Sequence, residues 1–277
     1  MSKTDLHVHT NYSDGLLSVK ELLSLAQERD IGTLAITDHD TIDGFLEASG
    51  IASQYGIKLI PGVEISSLYK GRDIHILAYN YDPCDKKVLN LLQSIQKGRF
   101  LRAKKILTKL LEYDIKIDFN EVRKLTGKND LIGRPHIARV MVEQGFVHCK
   151  EEAFDYYIGD RAPAYAAKPA PSPKKVIKTI KKAGGLAVLA HPHIIKNDEI
   201  VMEMIEMGIQ GLEVYYAKVD RDTVNHYEQI ACECNLLRTG GTDFHGGDLD
   251  HELFGNYEIP DFVLEELESR VNCQRRG

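Results

Sequence analysis

Two histidines near the start of the chain, His7 and His9, have the spacing expected of two metal ligands on one β-strand. The segment reads Asp-Leu-His-Val-His-Thr, and side chains two residues apart in a strand point to the same face. A carboxylate follows at Asp14, and imidazole and carboxylate groups are common ligands of divalent ions. Taken alone, the pair is more often a chance match, because short motifs recur without function.

The same ligand types recur along the chain where buried strands are predicted. The collected candidates are His7, His9, Asp14, His39, Glu64, His75, His191, Asp243 and His245. They include six of the 11 histidines, more than random placement at strand ends would give. Nitrogen and oxygen ligands without sulfur favour manganese, iron or zinc. The pattern therefore predicts a metal site.

Apolar segments predict the elements that would position these residues. Buried strands are expected over residues 3–9, 33–37, 58–65, 73–79, 186–190, 211–214 and 236–239, with one more near Tyr257. Helices are predicted between most of them, among them one over residues 42–55. Alternating strands and helices are typical of a parallel α/β architecture, and α/β barrels carry their chemistry at the carboxyl ends of the strands.

Between the fourth and fifth of these strands, the chain has a helical pattern without a clear strand. A long basic helix is expected over residues 86–112, shorter ones near 119–125, 134–143 and 150–157, and then a proline-containing loop over 168–173. We therefore predict a helical subdomain, residues 83–169, inserted into a barrel domain formed by residues 1–82 and 170–277.

Composition narrows the class of protein. The formal net charge of −6 argues against a protein that coats nucleic acid, because such binding depends on Lys and Arg at phosphates; we expect no stable complex with duplex nucleic acid. Five scattered cysteines indicate no disulfide framework, and no segment is apolar enough to span a membrane. We expect a cytoplasmic enzyme or binding protein with no membrane partner.

Seven short motifs, in order, resemble those of the PHP (polymerase and histidinol phosphatase) phosphoesterases. They are Asp-x-His-x-His-Thr, Ser-Asp-Gly, Thr-Asp-His-Asp, Pro-Gly-Val-Glu, His-Ile-Leu-Ala-Tyr, Ala-His-Pro and Gly-Thr-Asp-Phe-His. The likeness extends over nearly the whole chain. It is greatest to the subgroup that removes the 3′-phosphate of nucleoside 3′,5′-bisphosphates, which has a helical insert, an Asp at the position of Asp14 and a segment similar to Gly133–His136.

This resemblance implies a distorted (β/α)7 TIM-like barrel with two to three divalent ions at its mouth, manganese first and iron or zinc as alternatives. The implied ligands of one ion are His7, His9, Glu64 and Asp243. Those of a second ion are Glu64, His75 and His191, with the Glu64 carboxylate bridging the two ions. Those of the third ion are Asp14, His39 and His245.

The implied reaction is hydrolysis of a phosphate ester by a hydroxide that the metal ions activate. Asp38, Asp40 and Thr242 lie next to implied ligands in the sequence, and we expect them to orient imidazoles; Asp40 is also a candidate catalytic residue. His193 could contact the phosphate or protonate the leaving 3′-oxygen. An ordinary solvated loop histidine is the equal alternative for His193.

The helical segment carries the candidate substrate-binding residues Arg99, Arg102, Arg134 and His136. Arg99 and Arg102 are one turn apart on the predicted long helix, and a guanidinium suits a second phosphate of the substrate better than an ammonium does. The alternative for Arg99 and Arg102 is a solvated helix face, which is what runs of charge usually are. Arg134 belongs to the segment that matches the subgroup.

The resemblance thus predicts an enzyme whose substrate is a small nucleotide, such as adenosine 3′,5′-bisphosphate, which it converts to a nucleoside 5′-monophosphate and phosphate. The same site could act as a 5′→3′ exonuclease on short oligoribonucleotides. A histidinol-phosphate phosphatase is the alternative within the family. A PHP module that binds nucleotide without catalysis is the alternative of another class.

Overall fold

The protein is described by a computed structural model over residues 3–126, 131–167 and 169–276; Lys168, the first residue of the predicted proline-containing loop, lies outside these ranges. One of its two sheets contains the strands of the N-terminal part of the chain. These are β1 (Lys3–Val8), β2 (Ile31–Ile36) and β3 (Lys58–Leu59), all parallel. They are connected by helices α1 (Val19–Glu28) and α2 (Asp43–Ser49).

The second sheet has five strands in chain order. They are β4 (Gly62–Tyr69), β5 (Arg72–Tyr79), β6 (Leu186–Leu189), β7 (Gly211–Tyr216) and β8 (Leu237–Gly241). β5 is antiparallel to both β4 and β6, so the predicted parallel arrangement does not hold for this strand. The reason is the two-residue turn Lys70-Gly71, whose residues both have positive φ; such a turn closes a hairpin and is too short for a parallel crossover.

The two sheets meet without forming one closed barrel. In the described part of the chain, two single bridges join them, Val8 to Phe244 and His39 to Glu64. At the first seam, the buried carboxylate of Asp5 accepts hydrogen bonds from the backbone N–H groups of His7 and Thr242. Because a side chain takes these donors, a continuous ladder between β1 and β8 does not form. The observed fold is therefore mixed α/β, and the predicted barrel is not closed by hydrogen bonding.

Three predicted elements differ from the observed ones. The expected helix over residues 42–55 is broken at Gly50, and a short 3₁₀ helix, Ala52–Tyr55, follows α2. The expected strand over residues 58–65 is divided into β3 and β4 around Pro61, which has no backbone donor for a ladder. Tyr257 lies in a turn, where its N–H bonds to the carbonyl of Leu253, so the strand expected there is wrong.

Within the described ranges, nine further α-helices follow β5, and those between residues 103 and 166 share a separate hydrophobic core. They are α3 (Lys86–Leu110), α4 (Phe119–Lys124), α5 (Arg134–Glu143), α6 (Lys150–Ala153), α7 (Pro173–Lys182), α8 (Asp198–Glu206), α9 (Arg221–Glu233), α10 (Asp248–Leu253) and α11 (Phe262–Arg276). Short 3₁₀ helices cover Leu111–Tyr113 and Pro192–Ile195, and a π-helix covers Phe154–Ile158.

Helix α3 connects two hydrophobic cores. Its first half contributes Val88 and Ile95 to the core of the second sheet. Its second half contributes Ile106 and Leu110 to a core made entirely of residues between 103 and 166. Among the described residues, no helix has the length and apolarity that crossing a membrane requires.

Candidate metal centre

Glu64 lies at the centre of the predicted ligand set and is fully buried. The sequence suggested that Glu64 ends a strand, but it is the third residue of β4. Its Oε2 lies 2.9 Å from His39 Nδ1 and 3.3 Å from the Nε2 atoms of His7 and His9. Its Oε1 lies 2.8 Å from His75 Nδ1 and 2.9 Å from His191 Nε2. The two oxygens therefore face two different sets of imidazoles, as a bridging carboxylate would.

Three groups of side chains bring ligand atoms close enough to share one ion. The first group is His7, His9, Glu64 and Asp243; the second is His39, Glu64 and His75; the third is His9, Asp14, His39 and His245. The first group has the same members as the set implied by the resemblance. The structure adds His39 to the second group and His9 to the third, while His191 contacts Glu64 from outside the second group. All nine predicted ligands are thus brought together.

The imidazole nitrogens have the arrangement that a metal ion requires. His39 Nδ1 and His75 Nδ1 are buried, and although each lies within 3 Å of Glu64, neither has a hydrogen-bond partner of acceptable geometry. The Nε2 atoms of His7 and His9 face each other at 3.1 Å. His7 Nδ1 lies 2.7 Å from the Glu213 carboxylate, which fixes the proton on Nδ1 and leaves the Nε2 lone pair for a ligand bond. These residues fit a divalent cation.

The charges of the cluster compensate one another. Burial would raise the pKa of Glu64, but the imidazoles of His39, His75 and His7 hold it well below its usual range. Burial would likewise raise the pKa of Asp243, and His7 and His245 hold it well below normal. Burial alone would lower the pKa of His245, whereas Asp243 and Asp14 raise it to about 10. The carboxylates therefore stay ionised, which is the form that binds metal.

Strained backbone positions several of these residues. His191 and Asp243 have φ values of 30° and 50°, in the left-handed region, and Asp40 has 55°. Such a conformation costs about 1–3 kcal/mol for a residue other than glycine and persists where the surroundings enforce it. Asp243 receives a hydrogen bond from the Tyr216 hydroxyl at 2.9 Å, and its carbonyl accepts one from Lys218 at 2.8 Å. These contacts hold the Asp243 carboxylate toward His7 and His9, 3.2 and 3.1 Å away.

The residues expected to orient imidazoles make other hydrogen bonds. Asp38 accepts from the backbone and hydroxyl of Thr10 and from Ser13. Asp40 accepts from the backbone and hydroxyl of Ser66 and from Arg99 Nε at 2.6 Å. The Thr242 hydroxyl donates to Asp5 at 2.6 Å. These bonds tie the loops of the site to neighbouring strands, and the catalytic role predicted for Asp40 finds no support in them.

Glu213, which the sequence reasoning did not assign, does orient ligands. It is buried in β7 and accepts hydrogen bonds from His7 Nδ1 and from the His191 backbone, both at 2.7 Å. The available signal was an acidic residue inside the otherwise uncharged strand Gly-Leu-Glu-Val-Tyr-Tyr. Tyr216, at the end of the same strand, was also missed. A pattern of apolar positions does not show which polar side chain of a strand faces the site, so neither residue could be assigned from it.

A cavity of about 360 Å³, here called the main cleft, opens onto the ligand cluster. Six of the predicted ligands line it, namely His39, Glu64, His75, His191, Asp243 and His245. Arg134, from the first turn of α5, lines the same cleft, and its guanidinium pairs with Asp160 at 2.7 Å and with Asp73 at 3.5 Å. The cleft therefore combines candidate metal ligands with a cationic side chain.

The other predicted substrate-binding residues lie elsewhere. Arg99 is buried in its ion pair with Asp40, and Arg102 is buried with its Nε bonded to the carbonyl of Ala166 at 2.7 Å. His136 lines a separate cavity of about 220 Å³ beside Asp14, and its Nδ1 accepts from the Gly133 N–H at 3.0 Å. His193 is partly exposed, with its ring centre 4.6 Å from that of Tyr216.

A mixed α/β fold with a buried imidazole–carboxylate cluster is an arrangement in which metal-dependent hydrolases hold their ions. The sequence pattern of the PHP domain matches residues 5–158. A "5'-3' exoribonuclease" of Haemophilus influenzae is 34% identical over 95% of this chain and 97% of its own length. A "3',5'-nucleoside bisphosphate phosphatase" of Chromobacterium violaceum is 29% identical over 98% of both chains.

Solved structures agree with this assignment. An amidohydrolase from Chromobacterium violaceum, determined with bound sulfate and no metal, has a TM-score of 0.86 at 30% identity, with 97% of both chains covered. A candidate metal-dependent phosphoesterase from Bifidobacterium adolescentis has a TM-score of 0.84 at 30% identity, with 96% of both chains covered. The chain belongs to the PHP family and is a hydrolase of phosphoester bonds.

Proposed function

We propose that the protein removes the 3′-phosphate from nucleoside 3′,5′-bisphosphates, such as adenosine 3′,5′-bisphosphate, and releases a nucleoside 5′-monophosphate and phosphate. The observation that carries this proposal is the main cleft, which has the ligand cluster and the Arg134 guanidinium among its lining groups. A substrate with two phosphates needs both, one for the reacting phosphate and one for the phosphate that is retained. The bisphosphate phosphatase of Chromobacterium violaceum, similar over 98% of this chain, supports the same substrate.

Two to three divalent ions would be held by the three ligand groups, with Glu64 shared between the first and second. Manganese is the proposed metal, with iron or zinc as alternatives, because the ligands are nitrogen and oxygen without sulfur. Such ions would lower the pKa of bound water to about 7 and would neutralise phosphoryl oxygens. Glu213, Tyr216 and Lys218 hold the ligands in place.

Arg134 is the proposed contact for the retained 5′-phosphate. It would exchange its partner Asp160, which is largely exposed, for the phosphate. We propose that His193 either contacts the reacting phosphate or donates a proton to the leaving 3′-oxygen. It lies two residues after the proposed ligand His191. We further propose that residues 83–169 act as a specificity subdomain on a distorted barrel formed by residues 1–82 and 170–277.

A second activity, 5′→3′ cleavage of short oligoribonucleotides, is favoured by the exoribonuclease of Haemophilus influenzae, which is 34% identical over 95% of this chain. An oligonucleotide differs from the bisphosphate mainly in what lies beyond the reacting phosphate, so one site could serve both. Because nucleotides and RNA are intracellular, we propose that the protein acts in the cytoplasm. The four described cysteines, all free, fit a reducing compartment.

The test compares phosphate release from adenosine 3′,5′-bisphosphate with that from histidinol phosphate, alongside cleavage of a 5′-phosphorylated dinucleotide. Metal content is measured on the same preparations. We expect turnover of the bisphosphate and a bound divalent metal. Preferred hydrolysis of histidinol phosphate would overturn the substrate assignment. Nucleotide binding without turnover of any of the three would indicate a non-catalytic module.

A further inference from the structure

A basic groove lies between helices α3 and α7, away from the main cleft. It has a volume of about 400 Å³, and we call it the lysine groove. Its lining includes Lys87, Lys175, Lys178 and Lys182, and the polar side chains of Asn90 and Ser94. All four lysines are exposed. No carboxylate lines the groove among the described residues.

Lys175, Lys178 and Lys182 repel one another along α7, although Lys182, in the last turn, is favourable to the helix dipole. Helix α7 reads Pro-Lys-Lys-Val-Ile-Lys-Thr-Ile-Lys-Lys and has no acidic residue. None of the four groove lysines forms an ion pair with any residue that the structure describes. Like charges three or four residues apart destabilise a helix, and cations in a first turn oppose the helix dipole. Lys87 and Lys175 both lie in first turns. An anionic ligand would offset this cost in a chain whose net charge is −6.

The segment just before α7 is bonded to the β4–β5 hairpin, which carries part of the main-cleft lining. The carbonyl of Pro171, two residues before α7, accepts a hydrogen bond from the Leu68 N–H at 2.9 Å. Leu68 pairs in the β4–β5 hairpin with Asp73, and Asp73 lines the main cleft. The first turn of α7, which contains Lys175, therefore begins close to this hairpin. From Lys175 to Lys182 the helix rises about 10 Å, which is about three phosphates at the spacing of a stacked strand.

We propose that the lysine groove binds the phosphate backbone of single-stranded RNA that extends beyond the nucleotide held in the main cleft. This inference rests on the proposed action on oligoribonucleotides and adds a second, remote contact to it. The groove has no aromatic side chain among its lining residues, so it offers no platform on which a base could stack. Binding should therefore depend on charge and chain length and not on base sequence.

The test is the binding of 5′-phosphorylated oligoribonucleotides of 12 and 3 nucleotides to the metal-loaded full chain, measured by fluorescence anisotropy. Phosphorothioate linkages slow cleavage of the probes. The groove variant combines Lys178→Gln and Lys182→Gln. The control variant, Lys20→Gln with Lys116→Gln, removes the same charge at two other exposed positions.

We expect the groove variant to bind the 12-nucleotide probe about tenfold more weakly than the control variant does. The slope of the logarithm of its binding constant against the logarithm of salt concentration should be smaller in magnitude by about 1.4, or about 0.7 for each lost phosphate contact. Binding of the trinucleotide should be the same for both variants. Equal binding of the long probe by both variants would overturn the proposal. The proposal would also be overturned if the groove variant bound polyglutamate more weakly than the control variant did while both bound the long RNA equally.

Hydrolysis of adenosine 3′,5′-bisphosphate is measured separately on the same variants and should be unchanged. A fall confined to the groove variant would show that these lysines act at the main cleft and would overturn a remote site. If the wild-type protein hydrolyses neither bisphosphate nor RNA, the proposed function fails, while the difference in binding between the two variants still decides the role of the groove.

Discussion

The ligand cluster around Glu64 and the arginines of α3 and α5 were both candidates for chemistry, but the structure uses them differently. The nine candidate ligands come from residues 7–75 and 191–245, on either side of the helical segment, and their side chains meet at one place. Of the three arginines, only Arg134 lines the main cleft, while Arg99 and Arg102 are buried in contacts with the protein itself. A histidine or carboxylate at the end of a strand has a short reach, so the backbone fixes its place. The long side chain of an arginine can instead bring its guanidinium to any nearby hydrogen-bond acceptor.

This comparison separates two kinds of charged residue. The carboxylates of the cluster have several imidazoles around them and, among the described residues, no Lys or Arg ion pair, which leaves their charge for a metal. Asp40, in contrast, is neutralised by Arg99. We therefore expect loss of a cluster residue to affect chemistry first and loss of Arg99 to affect stability first.

The largest effect is expected for Glu64→Gln. The substitution keeps the shape of the side chain but removes the charge shared by two ligand groups, so several kcal/mol of transition-state stabilisation should be lost. The corresponding fall in kcat/KM for adenosine 3′,5′-bisphosphate is on the order of 10³-fold. Metal content, measured by mass spectrometry, should fall with it. Full activity with full metal content would contradict the assignment of Glu64.

Arg99→Met should come next, as a loss of stability. It leaves the buried Asp40 carboxylate without its cation, and removing one partner of a buried ion pair costs about 3–5 kcal/mol. Urea unfolding measures the change. The double variant Arg99→Met with Asp40→Asn should recover part of the loss, because no uncompensated charge remains. A single variant of normal stability with a raised KM for the bisphosphate would instead restore the substrate-binding role predicted for Arg99.

Glu213→Gln tests whether a carboxylate that bonds to a ligand, without being a predicted ligand itself, affects metal affinity and activity. Loss of the carboxylate that fixes the His7 tautomer should reduce metal affinity or activity by about 10- to 100-fold. Added metal should restore part of the activity, which a purely structural defect would not allow. Glu206→Gln, at an exposed position on α8, is the matched control. Unchanged metal affinity in Glu213→Gln would remove the residue from the site.

Arg134→Gln should have the smallest effect of these variants, an increase of about tenfold in KM for adenosine 3′,5′-bisphosphate. A hydrogen bond to a charged group contributes about 1.5–3 kcal/mol, and the effect should lie at the low end because Asp160 competes for the guanidinium. The KM for an aryl phosphate, which has no second phosphate, should change little. Arg221→Gln, at an exposed position on α9, serves as the control. Equal changes for both substrates would reject a role in binding the second phosphate.

The outcome of the sequence predictions follows the physics of each feature. The family and the kind of reaction were confirmed by the comparisons, because the motifs depend on local spacing that a sequence shows directly. The predicted parallel arrangement does not hold for β5, because two residues, Lys70 and Gly71, form a hairpin between β4 and β5. The metal roles of the ligands and the role of Arg134 stay predictions for the experiments above.

The sequence by itself determined that His7, His9 and Asp243 lie at or just beyond the ends of apolar segments, where short side chains can reach a common site. Only the tertiary structure decided that Glu213, in the second sheet, fixes His7, in the first, and that Arg99 pairs with Asp40. Those pairings join residues 206 and 59 positions apart. No local periodicity encodes a partner at such a distance, because only the packing of one element against another brings the two groups together.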